Sequence, residues 1–173
     1  MRWWLLGEDP GHERLALELA RSIGLNKRPV NVTIAPSGEG AASAFVLKRY
    51  AREVRATTRR RPGERVAILV MIDGDNLGLS RRKQQLDEAL REAGEPTRAA
   101  DEPVVILVPT WSIETWLLPQ SAEVTEAVDL KPQMRDPQTK HFEEAARRIV
   151  RPDDDEPLAS VRDATREVAR LPK

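Results

Sequence analysis

Two aspartates one residue apart, Asp73 and Asp75, follow the apolar run Ala67-Ile68-Leu69-Val70-Met71-Ile72, and glycines stand at Gly74 and Gly78. Carboxylates are hard oxygen donors, so a pair this close suits Mg2+ or Mn2+. A metal held there can activate water and stabilise the charge on a phosphate being cleaved. Glu8 is a third acid of the same kind, directly after the apolar run Trp3-Trp4-Leu5-Leu6-Gly7. Carboxylates brought together repel one another, so a metal or a shared proton has to offset the repulsion. The other meaning of Asp73-Gly74-Asp75-Asn76 is a plain turn that follows a strand.

The elements around these acids must position them. The run before Asp73 is short, rich in branched side chains and closed by glycine, as in a buried parallel strand over about residues 65–72. The carboxyl ends of such strands border the ligand crevice of an open α/β sheet. Residues i and i+2 of a strand share a face, so Asp73 and Asp75 lean toward one cation if the strand persists that far. Residues 2–7 read as a first strand. Asp9 suits an N-cap and Pro10 a first helical turn. Leu15, Leu19 and Ile23 then predict a helix over about 10–23 that stops at Gly24. Val30, Val32 and Ile34 alternate with polar residues as a second strand. A helix over about 41–58 buries Phe45 or Val46, Tyr50 and Val54. Ser80 is expected to cap a helix that carries Leu86 and Leu90 and ends near Gly94. Residues 103–108 form a fourth strand.

Strands alternating with helices of this length predict βαβ units. If the strand order reverses beside the first strand, strands one and three are neighbours and Glu8 faces the Asp pair across the switch point. After Pro109, Ser112 is expected to cap a short helix with Glu114 in its first turn. Further helices are expected over about 122–128, 139–150 and 158–171, with Asp153-Asp154-Asp155-Glu156 as a solvated loop. The fold class is therefore α/β: a four-stranded, mostly parallel sheet with helices on both faces and a helical C-terminal part. A single domain is expected over residues 1–173, with its core over 1–118 and a helical extension over 119–173.

At 173 residues a chain can bury about 70% of its unfolded surface and needs no covalent staples. It has no cysteine, which excludes disulfides, iron–sulfur clusters and cysteine zinc sites. No stretch is long and apolar enough to span a bilayer, and no signal-peptide pattern follows Met1, so the expectation is a cytoplasmic protein with no membrane partner. Lys+Arg and Asp+Glu balance at 28 each, so bulk charge announces no polyanionic partner. The local distribution does more, because Lys48, Arg49, Arg52, Arg55, Arg59, Arg60, Arg61 and Arg65 face only Glu53 and Glu64.

The motifs Leu5-Leu6-Gly7-Glu8-Asp9-Pro10-Gly11 and Asp73-Gly74-Asp75-Asn76-Leu77-Gly78, in this order and on suitable strands, resemble those of Toprim domains. These are the metal-binding modules of topoisomerases, bacterial primases, small ribosomal-RNA maturases and overcoming-lysogenisation-defect type nucleases. The family's first motif is a glutamate after a strand, usually followed by glycine. Here Gly7 precedes Glu8 and Asp9 follows it, so Glu8, Asp9 and Glu13 compete for the role. Glu8 is favoured because it sits where the strand ends. The second motif, Asp-x-Asp with a glycine three further on, is matched in full. Ile113-Glu114-Thr115-Trp116-Leu117 resembles a segment of small stand-alone Toprim-like proteins of phage-defence loci. The resemblance covers about residues 2–118 and implies a Toprim-like core over 1–118. It implies Glu8 as general acid/base or metal-linked carboxylate, Asp73 and Asp75 as Mg2+ (or Mn2+) ligands, and Glu114 as a fourth acid at the metal. The activity it implies is a Mg2+-dependent nuclease of RNA or DNA in anti-phage defence, with Glu8, Asp73 and Asp75 as the catalytic set. Glu114 has a second role open to it, as a carboxylate serving a helix N-terminus.

Several residues are placed for phosphate contact. Ser37 lies in the loop Ala35-Pro36-Ser37-Gly38-Glu39-Gly40 before a helix. Arg49 and Arg52 lie on the basic helix side, which is equally a solvated face. Arg81, Arg82 and Lys83 lie close in sequence to Asp75, and their competing role is to pair with the acids. Lys131 and Lys140 could reach a phosphate, but lone lysines are mostly surface residues. His12 is expected as a first-turn surface residue near Glu8. Two other functions stay open. One is a non-catalytic metal- or nucleotide-binding module that self-associates or works with a partner such as an ATPase. The other is a PIN-like nuclease, disfavoured by Gly78 and by parallel order after Glu8.

Overall fold

The computed structural model describes residues 2–24, 30–37, 41–58, 66–99, 102–119 and 124–171. Four strands, β1 (Arg2–Gly7), β2 (Val30–Ile34), β3 (Val66–Met71) and β4 (Val104–Leu107), form one sheet in the order β2-β1-β3-β4. Every pairing is parallel, with Leu6 beside Val70 and Met71 beside Leu107. The "mostly parallel" expectation thus becomes fully parallel. The chain leaves β1 for β2 on one side and returns to β3 on the other, so the order reverses between β1 and β3.

Helices α1 (Pro10–Ser22), α2 (Ala42–Thr58) and α3 (Gly78–Glu92) make the crossovers. A four-residue α4 (Glu114–Leu117), a single 3-10 turn (Lys131–Gln133), α5 (Thr139–Val150) and α6 (Ala159–Val168) follow β4. The sheet is buried on both faces. Leu5, Leu69, Met71, Val105 and Leu107 pack with α1, α4, α5 and α6, through Leu15, Trp116, Phe142 and Ala164 among others. Leu6, Ile68, Val70, Ile72 and Ile106 pack on the other face with Val46, Tyr50 and Val54 of α2 and Leu86 and Leu90 of α3. Period-two alternation divides each apolar strand between the two cores.

Two buried ion networks fasten the C-terminal helices. Glu167 of α6 takes Lys83 at 2.9 Å, both terminal nitrogens of Arg98, and the backbone N–H of Ile106 at 3.2 Å. That last bond occupies a donor on the edge strand β4, which an open edge would leave exposed. Arg148 and Glu156, 1% and 3% exposed, make a two-pronged pair at 3.2 and 2.9 Å, and Glu156 also accepts the Leu158 N–H ahead of α6. Trp116 Nε1 donates to Ser160 Oγ at 2.7 Å, which ties α4 to α6.

Four local expectations are corrected. Ser80 lies inside α3, which starts at Gly78, because the N–H groups of Leu77 and Gly78 already turn back to the Gly74 carbonyl. The Ser112 side chain makes no cap to α4, and its hydroxyl faces Asp129 Oδ1 at 3.4 Å. Glu156 is buried by its pairing with Arg148, while Asp153, Asp154 and Asp155 are exposed. No helix forms over the described part of 122–128, residues 124–128. There Glu126 serves its neighbours instead: its carbonyl accepts Trp111 Nε1, and its carboxylate caps the N–H groups of Ala159 and Ser160.

Candidate functional site

Glu8 stands directly after β1 and Asp73 two residues after β3, the two strands that flank the switch point. The chain after Glu8 is turned sharply. Asp9 is extended (φ −148°, ψ 173°) and its Oδ1 accepts the His12 N–H at 3.0 Å, while Pro10 begins α1. This N-cap with Pro at N1 satisfies an orphan helix donor and sets the direction of α1. It also swings His12 back over the carboxyl end of the sheet. A Cβ on Gly7 would stand 3.0 Å from both His12 Cβ and Ile34 Cδ1, so the glycine leaves the space that His12 fills.

His12 is wholly buried, which corrects the surface expectation. Its Nδ1 accepts the Glu8 N–H at 3.0 Å, so the neutral ring carries its proton on Nε2, which donates to Asp73 Oδ1 at 2.9 Å. Burial opposes the charged ring. The Asp73 bond and the charges of Asp73, Asp9 and Glu8 outweigh it, and the pKa of His12 lies above the ordinary value. A second proton on Nδ1 would nevertheless displace the Glu8 N–H. Sequence reasoning missed this residue. Its signal was the combination of Gly7, an Asp cap and a histidine three residues after it.

The chain beyond β3 runs along the chain beyond β4. Gly74 N–H donates to Pro109 O at 2.9 Å and Asp75 N–H to Trp111 O at 2.7 Å. A Cβ on Gly74 would come within 2.1 Å of Thr110 O, so only glycine permits this approach. Asp75 then adopts φ +50°, in the left-handed region, which Asp tolerates better than most residues. The strand therefore does not extend through Asp75, and the shared-face spacing of the two carboxylates does not hold. Asp73 is 6% exposed and Asp75 is exposed, and they take different partners.

Arg82, 4% exposed, fixes this turn from α3. Its Nε donates to Asp73 O at 2.8 Å, one terminal nitrogen to Asp75 Oδ2 at 2.7 Å, and the other to Gln85 Oε1 at 2.9 Å. Glu8 closes the group, because its Oε1 accepts the Asp73 N–H at 2.7 Å. Burial and the charge of Asp73 push the Glu8 carboxyl up to about 7, although that N–H bond and His12 pull the other way. Burial and Asp73 also raise the pKa of Asp75, against the pull of Arg82 and Lys131.

Two clefts open beside these acids. One, of about 270 Å3, is lined by Asp75, Asn76, Trp111, Ser112, Asp129 and Lys131. The other, of about 300 Å3, includes Asp9, Arg14 and Glu114. Burial opposes the charge on Lys131, but the fields of Glu114, Asp73, Asp9 and Asp129 outweigh it and raise its pKa.

The structure thus joins Glu8, Asp73, Asp75 and Arg82, with Glu114 on a neighbouring cleft wall. The other phosphate candidates have other surroundings. Lys83 points to α6 and pairs with Asp163 at 2.6 Å and Glu167 at 2.9 Å. Arg81 pairs with Glu88 at 3.3 Å, and Arg49 pairs with Glu53 at 3.3 Å beside the Phe45 ring. Arg52 and Ser37 are exposed, and the remainder of the Ser37 loop, residues 38–40, lies outside the described residues, as does the basic run 59–65. Among the described residues, no three His, Asp or Glu side chains are arranged to hold a metal ion. Comparisons of the chain with protein-family models, with curated proteins and with solved structures found no match.

Proposed function

We propose that this chain is a Toprim-like, Mg2+-dependent phosphodiesterase acting on nucleic acid, as in the stand-alone nucleases of phage-defence loci that its motifs resemble. The observation that carries this reading is the Glu8–Asp73 pair at the switch point, where Glu8 Oε1 accepts the Asp73 N–H at 2.7 Å and burial beside Asp73 pushes the Glu8 carboxyl up to about 7. A carboxyl poised near neutral pH can give and take protons as general acid and base.

The donor set suits an open Mg2+ site. This ion commonly binds through one or two carboxylates and takes its other ligands from water and phosphate oxygens, so three convergent side chains are not required. Asp73 Oδ2 and Glu8 Oε2 have no hydrogen-bond partner among the described residues. Asp73 is the principal ligand in this reading, with Glu8 and Asp75 beside it. A bound Mg2+ supplies charge neutralisation at the phosphoryl group. The chain's own residues do the rest. His12 holds the Asp73 carboxylate and the Glu8 backbone in register. Arg82 locks the Asp73–Asp75 turn and offsets its charge. Lys131, which has no ion-pair partner within 4.0 Å among the described residues, offers a cation to a substrate phosphate.

The test is cleavage of a panel of transfer RNA, single-stranded RNA and plasmid DNA with Mg2+, Mn2+ or EDTA, comparing wild type with Asp73→Asn. Metal-dependent products that vanish in a folded Asp73→Asn variant support the reading and identify the substrate class. A second reading is a non-catalytic module whose acids are structural, working alone or with a partner ATPase. It is favoured by the engagement of Asp73 with His12 and of Asp75 with Arg82. Under it, no metal-dependent product forms, and Asp73→Asn costs stability and ligand binding together.

A further inference from the structure

The geometry points to a seat for one unpaired base, with Trp111 as its stacking platform and Lys131 as its phosphate contact, and so to single-stranded nucleic acid as the substrate class. This inference rests on the nucleic-acid reading above. The cleft concerned is the one of about 270 Å3 lined by Asp75, Asn76, Trp111, Ser112, Asp129 and Lys131. It is slightly smaller than ordinary small-molecule sites of about 300–1,000 Å3, which suits one unit of a longer chain better than a free ligand held on all sides.

Trp111 is the informative residue. Its backbone and its one polar side-chain atom are both committed: Trp111 O accepts the Asp75 N–H at 2.7 Å, and Nε1 donates to Glu126 O at 3.0 Å. The residue is nonetheless only half-buried. With the indole N–H satisfied, what the side chain adds to the cleft wall is ring carbon, held at both ends. The apolar character continues at the rim. Leu77, 40% exposed, and Val128, 51% exposed, are the chain neighbours of the cleft residues Asn76 and Asp129. They are two of the three large apolar side chains exposed among the described residues, the third being Val32 on the edge strand β2. Apolar surface gathered beside polar groups in this way marks a ligand site.

Lys131 supplies the charge. Its backbone N–H donates to Asp129 Oδ1 at 2.9 Å, Pro132 follows it, and Leu130, 2% exposed, anchors the turn from behind. The backbone is thus fixed, while the exposed side chain has no ion-pair partner within 4.0 Å among the described residues. The two carboxylates of the cleft are engaged: Asp75 with Arg82 at 2.7 Å, and Asp129 with the Lys131 N–H and the Ser112 hydroxyl, the latter at 3.4 Å. A phosphate arriving here meets an unpaired cation and partnered acids. Asp75 belongs to the turn after Asp73, so a base on Trp111 brings its own phosphate beside the proposed metal site.

The substrate class follows from what stacking requires. A base laid on Trp111 must present an open π-face. In a duplex the neighbouring pairs cover both faces of each base, whereas a single strand can splay a base out. Every base has such a face, so the seat selects strandedness and tolerates base identity.

The experiment is fluorescence anisotropy of end-labelled oligonucleotides in EDTA: a single strand as RNA and as DNA, the DNA duplex, and an abasic DNA strand of the same length. The proteins are wild type, Trp111→Ala, Trp111→Phe and Lys131→Ala, with fold checked by circular dichroism. Cleavage with Mg2+ is measured on the same wild-type preparation. Wild type is expected to bind the single strand about ten-fold or more tightly than the abasic strand, the scale of one base–aromatic stack, and to prefer it to the duplex. Trp111→Ala should remove the preference over the abasic strand, and Trp111→Phe should keep most of it. Lys131→Ala should weaken both strands alike and make the slope of log K against log salt shallower by about 0.7; an unchanged slope would overturn the phosphate contact. The comparison of single with abasic strand needs no variant, so a misfolded Trp111→Ala does not leave the question open. Equal affinities for the two strands, tighter binding of the duplex, or a preference unchanged in a folded Trp111→Ala would overturn the seat even if cleavage is robust. A Trp111-dependent preference without any cleavage would keep the seat and overturn the nuclease reading. No binding of any oligonucleotide would overturn the seat, and if cleavage is absent too the nuclease reading falls with it.

Discussion

Glu8→Gln should make the protein more stable at alkaline pH while removing the proposed proton-transfer group. The Glu8 carboxyl has its pKa raised from the ordinary 4.5 to about 7 by burial and by Asp73. A carboxyl with a raised folded pKa favours the native state while protonated. Its contribution is fully present below pH 4.5 and is lost as the pH rises through 7. At about 1.4 kcal/mol per unit, the whole shift corresponds to an upper bound of about 3.5 kcal/mol. Solvent reaches part of the group and screens it, which reduces the figure to about 1–2 kcal/mol. Glutamine keeps an oxygen to accept the Asp73 N–H and carries no charge. Urea unfolding of both proteins at pH 4 and pH 8 isolates the effect, because the remaining titrations are common to the two. The variant should gain about 1–2 kcal/mol over wild type at pH 8, a rise of roughly 2–8 °C in melting temperature for a chain of this size. At pH 4 the gain should be near zero. A variant no more stable than wild type at pH 8, or a gain that does not change with pH, would refute the reasoning that Glu8 is held uncharged at a stability cost.

Three other perturbations read different parts of the site. His12→Ala strands Asp73 Oδ1 and the Glu8 N–H without their shared partner and should cost about 2–4 kcal/mol in urea unfolding; a loss below about 1 kcal/mol would show that water or a shifted side chain replaces the ring. Gly74→Ala drives a Cβ to 2.1 Å from Thr110 O and should cost about 3 kcal/mol or more, whereas Gly78→Ala, with φ +72° but open space around it, should cost about 1–2 kcal/mol; equal costs would contradict the contact. Arg98 and Lys83 outweigh burial and hold the Glu167 carboxyl down at about 2, so its stabilisation is present above pH 4.5 and disappears as the pH falls toward 2. Acid titration of stability should therefore be flatter for Glu167→Gln than for wild type over that interval, and parallel curves would count against the network.

The strands and crossover helices were legible because each is written locally: apolar runs of four to six residues between breakers, and helices with four-residue apolar steps. Asp9-Pro10 marked the start of α1, and Leu86 and Leu90 its counterpart on α3. Which face each strand residue takes was not legible, because both faces of this sheet are buried and the run 66–72 is apolar throughout. The acids were found by type and order, but their local geometry was not. The left-handed turn at Asp75 is set by hydrogen bonds to residues 109–111, a different loop, and by Arg82. His12 meets an aspartate 61 positions away, in space that exists only because Gly7 lacks a side chain. Glu156 looked solvated because it ends an acidic run, yet Arg148 eight positions earlier draws it inside. In each case the deciding partner is distant in sequence or lies across a turn whose shape the sequence pattern does not state.

The placement of cations gives Glu8 its meaning. The chain has 28 basic side chains for 28 acidic ones, so an acid left without a counter-ion does not reflect a shortage. Asp75 has Arg82, Glu156 has Arg148, and Glu167 has Arg98 and Lys83. Glu8, partly buried at the switch point, has no lysine or arginine within ion-pair distance among the described residues, and the strongest charge acting on it is another carboxylate, that of Asp73. A purely structural acceptor for the Asp73 N–H would be served as well by glutamine, without the penalty of ionisation. Keeping a glutamate there gives up stability at neutral and higher pH, and folded proteins tolerate such costs where activity needs them. Glu8 differs from Asp75, which is exposed and has Arg82 at 2.7 Å as a counter-ion, although burial and Asp73 still raise its pKa. Under the proposed function, Glu8 is the acid assigned to proton transfer, and Asp73, held by His12, the one assigned to coordination. The stability of Glu8→Gln against pH tests the first assignment without needing a substrate.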